Sequence, residues 1–238
     1  MTYKTNQLHH RTFENFVDIS TNTNAKEAAI RFANDTAQAG KNILVIIGEI
    51  GCGKTLLALA MIDSIIKGKA KPNVYHSSTE KLWSEFRFAK KMEFFDEDFM
   101  NEQDIVLIDS YYQMQYETEE STLFNNSFMT TLERIKTKVV ITCYEDHFTF
   151  PHQQINVKNI SNPSEIKLLI QMYISQEKLN VDENVVEYLS TIKYQSPRWI
   201  EAILISVMAK SSLMNKPITL NFAKDVIEEC RSTWFKTD

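Results

Sequence analysis

The chain has 238 residues, 43% of them hydrophobic and 24% charged, with a formal net charge of −5. That is the composition of an ordinary globular protein. It predicts neither the basic face needed for unaided DNA binding nor an apolar stretch long enough to span a membrane. The N-terminal run MTYKTNQLHHRTFENF lacks the apolar centre of a secretory signal, and Cys52, Cys143 and Cys230 have no metal or disulfide spacing. A cytoplasmic location is the expectation.

Residues 1–11 read as a flexible leader. Gln7-Leu8 is similar to the start of a clamp-docking peptide, but His9-His10 stand where its hydrophobic pair belongs, so the segment is read as a tail. Phe13 and Phe16 are aromatic anchors, Ser20 to Asn24 offers helix caps, and Ala25 to Ala39 reads as a helix stopped by Gly40. An apolar β-branched run, Ile43 to Ile47, predicts a buried strand. It leads into Gly48, Glu49, Ile50, Gly51, Cys52, Gly53, Lys54 and Thr55, then an apolar helix beginning near Leu56 and ending at Lys67-Gly68.

Strand, G-x-x-x-x-G-K-T loop and helix, in that order, form the context that a phosphate-binding loop requires. Glycines let backbone N–H groups approach a phosphate chain, and the helix adds its positive N-terminal end. Lys54 is expected to reach the β- and γ-phosphates, and Thr55 to offer its hydroxyl to Mg²⁺. Cys52 reads as a small side chain tolerated in the loop rather than as a reactive thiol.

Asn73 to His76 reads as a short strand, Ser77-Ser78-Thr79 as a cap, and Glu80 to Met92 as a helix. Glu93 to Met100 reads as helix or loop. DIVLID, Asp104 to Asp109, describes a buried parallel strand with a carboxylate at its C-terminal edge, where open α/β sheets bind ligands. Asp109 there matches a Walker-B aspartate that would hold Mg²⁺ through water. A helix over Glu119 to Lys136 and strands over Lys138 to Thr142 and Ile155 to Ile160 complete the series. The fold expected is α/β, a doubly wound five-stranded parallel sheet, since parallel neighbours need crossover connections.

After Asn162-Pro163 the pattern turns wholly helical. Apolar faces at Ile166/Leu169/Ile170/Tyr173, Val185/Tyr188/Leu189/Ile192, Ile200/Ile203/Leu204/Val207 and Leu220/Ala223/Ile227/Cys230 predict a small helical bundle. Asp182 and Ser196 are the expected caps, and Pro197 suits a first turn. The expected organisation is a leader (1–11), a nucleotide-binding α/β domain (12–162), a helical lid (163–232) and a tail (233–238).

An α/β nucleotide domain with a small helical lid is the layout of AAA+ ATPases. FENFV followed by a helix and GEIGCGKTLLALAM resembles the ATPase domain of the bacterial replication initiator family, DnaA. SPRWIEAIL looks like the stretch where that family places its sensor-2 arginine, here Arg198, and KPITLNFAKDVIEE resembles the last lid helix. The resemblance covers residues 12–230. It implies ATP or ADP with Mg²⁺ as cofactors, held between sheet and lid, and backbone near Phe16 and Val17 lining an adenine pocket. Without the family's DNA-binding and N-terminal domains in view, the plan is similar to Hda-type regulators. DnaC-like helicase loaders are the alternative comparison, and a nucleotide-dead paralogue is a third, against which Gly53-Lys54-Thr55 and Asp109 argue.

Three departures bear on chemistry. Ser110 follows Asp109 where the family has a second acid, and a serine hydroxyl is no base near neutral pH without a partner. The family's polar sensor-1 group aligns with Tyr144, which leaves Thr142 as the substitute, beside Glu145 and Asp146 as solvated loop charges. Cys143 to Gln154 contains no arginine or lysine, where the family carries an arginine that reaches a neighbour's γ-phosphate. Expected, therefore, is a nucleotide switch with weak or partner-dependent hydrolysis. It would act through a replication protein (initiator, sliding clamp or replicative helicase) rather than as a self-activating homo-oligomeric ring.

Overall fold

The computed structural model describes residues 11–17, 19–35, 42–89, 96–112, 118–193 and 196–234. The leader up to residue 10, Gly40, the far end of the first predicted helix, residues 90–92 of the third, residues 93–95 of the segment after it and the tail from 235 lie outside the described residues. The described chain falls into two compact units. The first takes Asn22–Glu49 and Lys54–Val157 together with the residues up to Phe16; the second takes Val17–Thr21, Ile50–Gly53 and the chain from Lys158 onward.

The first unit is built on five strands: β1 (Ile43–Ile47), β2 (Val74–Ser78), β3 (Ile105–Tyr111), β4 (Val139–Cys143) and β5 (Gln153–Asn156). They lie in the order β2-β3-β4-β1-β5, and every pairing is parallel. The doubly wound parallel sheet read from the sequence is the observed architecture. Its helices are α1 (Thr23–Asn34), α2 (Lys54–Ile66), α3 (Thr79–Ala89), α4 (Glu97–Asn101) and α5 (Glu119–Arg134).

Strands buried on both faces read as continuous apolar runs, and the burial here follows that rule. On one face Ile43, Val45, Val106, Ile108, Val139 and Ile141 pack with Leu82, Met100, Phe124, Phe128 and Leu132. The opposite face lies against α2, which packs in turn on α1. Helix α2 is buried continuously from Leu57 to Ile62, as a helix that is apolar all round must be. Lys138 Nζ donates to the carbonyls of Phe32 (2.7 Å) and Ala33 (2.9 Å) at the end of α1, the position where a cation best meets exposed helix carbonyls.

Several boundaries differ from the expectation for local reasons. β2 runs on to Ser78, so Ser77 and Ser78 are strand residues, although Ser78 Oγ still accepts from Lys81 N. α5 stops at Arg134 because Ile135 is extended (φ −59°, ψ 133°). β5 ends at Asn156. The alternation beyond it belongs to an extended connection in which Val157 N donates to Ile47 O and Ile160 joins the core of the second unit. β3 carries on to Tyr111, two residues past Asp109.

The second unit is a bundle of α6 (Pro163–Gln176), α7 (Glu183–Thr191), α8 (Pro197–Met214) and α9 (Leu220–Trp234). Its core holds Ile166, Leu169, Ile170, Val185, Leu189, Ile200, Ile203, Leu204, Val207, Ala223 and Ile227, the residues that the helical spacing selects. Asn162 caps α6 through Ser164 N, with Pro163 at its first turn, whereas Asp182 and Ser196 stand at N-cap positions without a side-chain cap bond. Ile19 joins this core, and the segment around it is clipped to α6. Ser20 Oγ and Thr21 Oγ1 each donate to the buried Glu165 carboxylate at 2.6 Å, and Thr21 N donates at 3.1 Å. Burial opposes the charge on Glu165, but these donors outweigh it and hold its carboxyl below the ordinary glutamate range.

Candidate functional site

The C-terminal ends of β1, β3 and β4 gather the polar residues that the sequence singled out. Gly48 leaves β1 with its N–H donating to Cys143 O (3.3 Å). The loop then turns through Gly51 (φ +80°) and Gly53 (φ +107°), conformations that side-chain-bearing residues rarely adopt. Lys54, the first residue of α2, folds its amine back over the loop and donates to the carbonyls of Gly48 and Glu49, both at 2.7 Å. Ile50 at the loop tip is 78% exposed, whereas Cys52 is buried and not a surface thiol. Leu56 is half-buried in the first turn of α2. That turn carries no acidic residue of its own to offset its positive end.

Thr55, one residue further, donates its hydroxyl to Asp109, 2.9 Å from Oδ1 and 3.1 Å from Oδ2. A hydroxyl and a carboxylate so placed form an all-oxygen donor pair suited to a hard divalent cation. Among the described residues no group of three or more His, Cys, Asp or Glu could hold a metal. The pair therefore fits a cation that completes its shell with phosphate oxygens and water, as Mg²⁺ commonly does.

Thr142, fully buried on β4, lies against the same carboxylate. Its Oγ1 donates to Asp109 Oδ1 at 2.6 Å and accepts from Ser110 N at 2.8 Å. Ser110 has φ +58° and an exposed side chain. The β3–β4 ladder breaks here, running from Ile108 opposite Ile141 to Tyr111 opposite Cys143. Nothing in the local sequence signals this bulge. The hydroxyl at Thr142 was legible as a candidate polar group, but its bonding was not.

Tyr144 is 59% exposed. Beyond it the β4–β5 connection is held by aromatic packing and one polar clip. His152 Nε2 meets Asp146 Oδ2 at 2.9 Å, His152 Nδ1 meets Phe150 O at 2.8 Å, and Phe148 N donates to Asp146 Oδ1 at 3.0 Å. Phe148 and Phe150 are buried, with Phe148 packed at a tilt against Tyr111 at 4.9 Å between ring centroids. Asp146 is thus a structural partner rather than a solvated loop charge, a role that spacing does not reveal.

In the second unit Gly51 stands hard against the start of α8. A Cβ built on it would lie 2.4 Å from Ser196 Oγ and 3.1 Å from Arg198 Cβ. Arg198, the predicted sensor-2 arginine, therefore begins its helix beside the phosphate-loop glycine. That helix also has no acid in its first turn.

A family model described as the bacterial DnaA ATPase domain matches residues 8–158. The chain belongs to the bacterial DnaA ATPase-domain family. Across 241 aligned residues it is 28% identical to the chromosomal replication initiator protein DnaA of Geotalea daltonii, covering 95% of this chain and 54% of that protein. The chain thus spans about half the length of that curated relative. The crystal structure of domain III from the Thermotoga maritima replication initiation protein DnaA superposes with a TM-score of 0.77 at 19% identity, covering 93% of this chain and 97% of that one. The AMPPCP-bound DnaA of Aquifex aeolicus gives 0.66 at 18% identity, covering 94% and 70%. At those identities the two structures establish the AAA+ fold of DnaA domain III. Among the described residues no helix is long and apolar enough to cross a membrane.

Proposed function

We propose that this member of the DnaA ATPase-domain family is an ATP/ADP-binding switch. In this reading it acts in bacterial DNA replication initiation or its regulation, by binding another replication protein. The observation that carries the reading is the pairing of Thr55 with Asp109 at 2.9 Å, beside a glycine loop whose first two carbonyls hold the Lys54 amine. The analogue-bound state of the Aquifex relative supports a nucleotide ligand.

In this reading the loop N–H groups from Gly48 to Gly53 and the start of α2 receive the phosphates. Lys54 exchanges its two carbonyl partners for phosphate oxygens, a charge-assisted replacement for neutral bonds. Thr55 and Asp109 hold Mg²⁺, which when bound neutralises phosphate charge. Arg198, beside Gly51, reads how many phosphates are present. The Phe16–Val17 backbone is assigned to the base, and the Glu165 clip on Ser20 and Thr21 fixes the segment that follows it. The exposed Ser110 in place of a second acid, and a β4–β5 connection without arginine or lysine, support slow or partner-dependent cleavage.

A switch of this kind works only if its partner binds the two nucleotide forms with different affinity. The test is calorimetry of ATP and ADP binding to the unmodified chain and to Lys54→Ala, followed by capture from a host lysate in each nucleotide. Recovery of initiator or sliding clamp in one nucleotide state supports the regulator reading. Recovery of the replicative helicase supports a DnaC-like loader instead. Unchanged nucleotide affinity in Lys54→Ala overturns the site.

A further inference from the structure

Three non-glycine residues among those described have positive φ: Ser110, Lys178 and Asn215. Lys178 and Asn215 follow the ends of α6 and α8, where a left-handed residue closes a helix. Ser110 has no such excuse. It sits inside β3, one residue after Asp109, in a strained left-handed conformation that strands do not need. Strain of this kind persists only where the surroundings over-determine it.

What over-determines it is Thr142. In the broken ladder Asp109 and Ser110 together stand opposite this one residue of β4, the two-against-one count of a β-bulge. The Thr142 hydroxyl accepts the Ser110 N–H at 2.8 Å and gives its own proton to Asp109 Oδ1 at 2.6 Å. The bulge has two consequences. Asp109 faces Thr55, while Tyr111 returns to the face of Ile108 and stacks on Phe128 at 5.1 Å. Without the extra residue, alternation would place Tyr111 on the face of Asp109.

A threonine hydroxyl has one proton. That proton is committed to Asp109, so Thr142 has none to donate to a phosphate or an attacking water. The geometry points to a different role from the sensor expected of it: Thr142 is a positioning residue that locks the Asp109–Ser110 bulge and so sets the affinity of the Thr55–Asp109 pair for a nucleotide-borne divalent cation. This role rests on the nucleotide-binding reading for its cation arm only. The bulge arm stands on the nucleotide-free protein.

The test compares Thr142→Val, which keeps the shape and loses the hydroxyl, with Thr142→Ser, which restores it. In the nucleotide-free protein, exchange of the Ser110 amide should accelerate about tenfold or more in Thr142→Val and return toward the original rate in Thr142→Ser. Exchange at Val140 and Ile141 should stay unchanged in both, which separates a local effect from general loosening. In Mg²⁺ titrations of ADP binding, Thr142→Val should need about tenfold more Mg²⁺ for its half-maximal effect, with ADP affinity in chelator unaltered.

Unaltered Ser110 exchange in Thr142→Val overturns the bulge role. An unaltered Mg²⁺ midpoint, with nucleotide still bound, overturns the link to the cation. If the unmodified protein binds no ADP at all, the nucleotide reading fails while the exchange comparison still decides the role of Thr142.

Discussion

The residues that would hold a nucleotide and those that would cleave it lie within a few positions of each other, yet they are built differently. On the holding side the Lys54 amine and the Thr55 hydroxyl already have partners that a ligand can replace or share. The Lys54 amine rests on two carbonyls, and the Thr55 hydroxyl rests on Asp109. Such groups are pre-aimed and lose little freedom on binding. On the cleaving side the positions after Asp109 and after Cys143 serve packing. Ser110 turns the backbone, Tyr111 fills the aromatic core, and the connection to β5 is clipped inward by Asp146 and His152. In the proposed reading, then, the loop before Lys54 and the Thr55–Asp109 pair stay well formed while the neighbouring segments serve packing instead of supplying groups that would attack or reach a phosphate.

The sharpest way to break this contrast is at Lys54. Lys54→Ala should weaken ATP and ADP binding by about 100-fold in calorimetry, with thermal unfolding of the nucleotide-free protein little changed, since only two carbonyl bonds are lost, one part-buried and one exposed.

A change remote from both sides asks whether the contrast is local. Glu165→Ala should lower stability by about 2 kcal/mol, because it strands the Ser20 and Thr21 donors of a buried carboxylate. The Glu165 carboxyl is held below its ordinary range in the folded state, so its contribution is complete above that range and is lost as pH falls through the lowered value. Urea midpoints of the unmodified chain and Glu165→Gln should therefore converge on acidification below about pH 4.

Arg198→Ala should narrow the difference between ATP and ADP affinity by about tenfold. An unchanged ratio would remove Arg198 from the sensing role.

The smallest effects are expected within the bulge itself. Ser110→Gly relieves a left-handed serine and should stabilise the fold by about 1 kcal/mol in chemical denaturation. Ser110→Asp should be tolerated better than Ser110→Glu, because aspartate accepts left-handed backbone more readily, and it should raise hydrolysis above that of the unmodified chain. Among the described residues the buried Tyr111 hydroxyl has no hydrogen-bond partner, and burial pushes its pKa up to about 12. Tyr111→Phe should therefore be neutral or stabilising by up to about 1 kcal/mol.

Much of this was written in the sequence, for identifiable reasons. The five strands and the bundle helices announce themselves because buried strands and amphipathic helices have distinct periods. The phosphate loop does so because few other loops place three glycines before Lys54-Thr55 between a strand and a helix. What stayed hidden is what depends on register and on partners distant in the chain. Residue type does not say that β3 takes a bulge at Ser110, that Thr142 spends its proton on Asp109, or that Glu165 clips a segment 144 residues away. Boundaries moved wherever an extended connection imitated a strand, as at Val157 to Ile160.

In the proposed reading this chain holds a nucleotide without cleaving it quickly on its own. Single-turnover hydrolysis of labelled ATP by the purified chain, with binding stoichiometry measured on the same sample, tests it most directly. The expected result is near-stoichiometric binding with turnover far below about 1 s⁻¹. Turnover at about 1 s⁻¹ or faster, with no partner present, would contradict it.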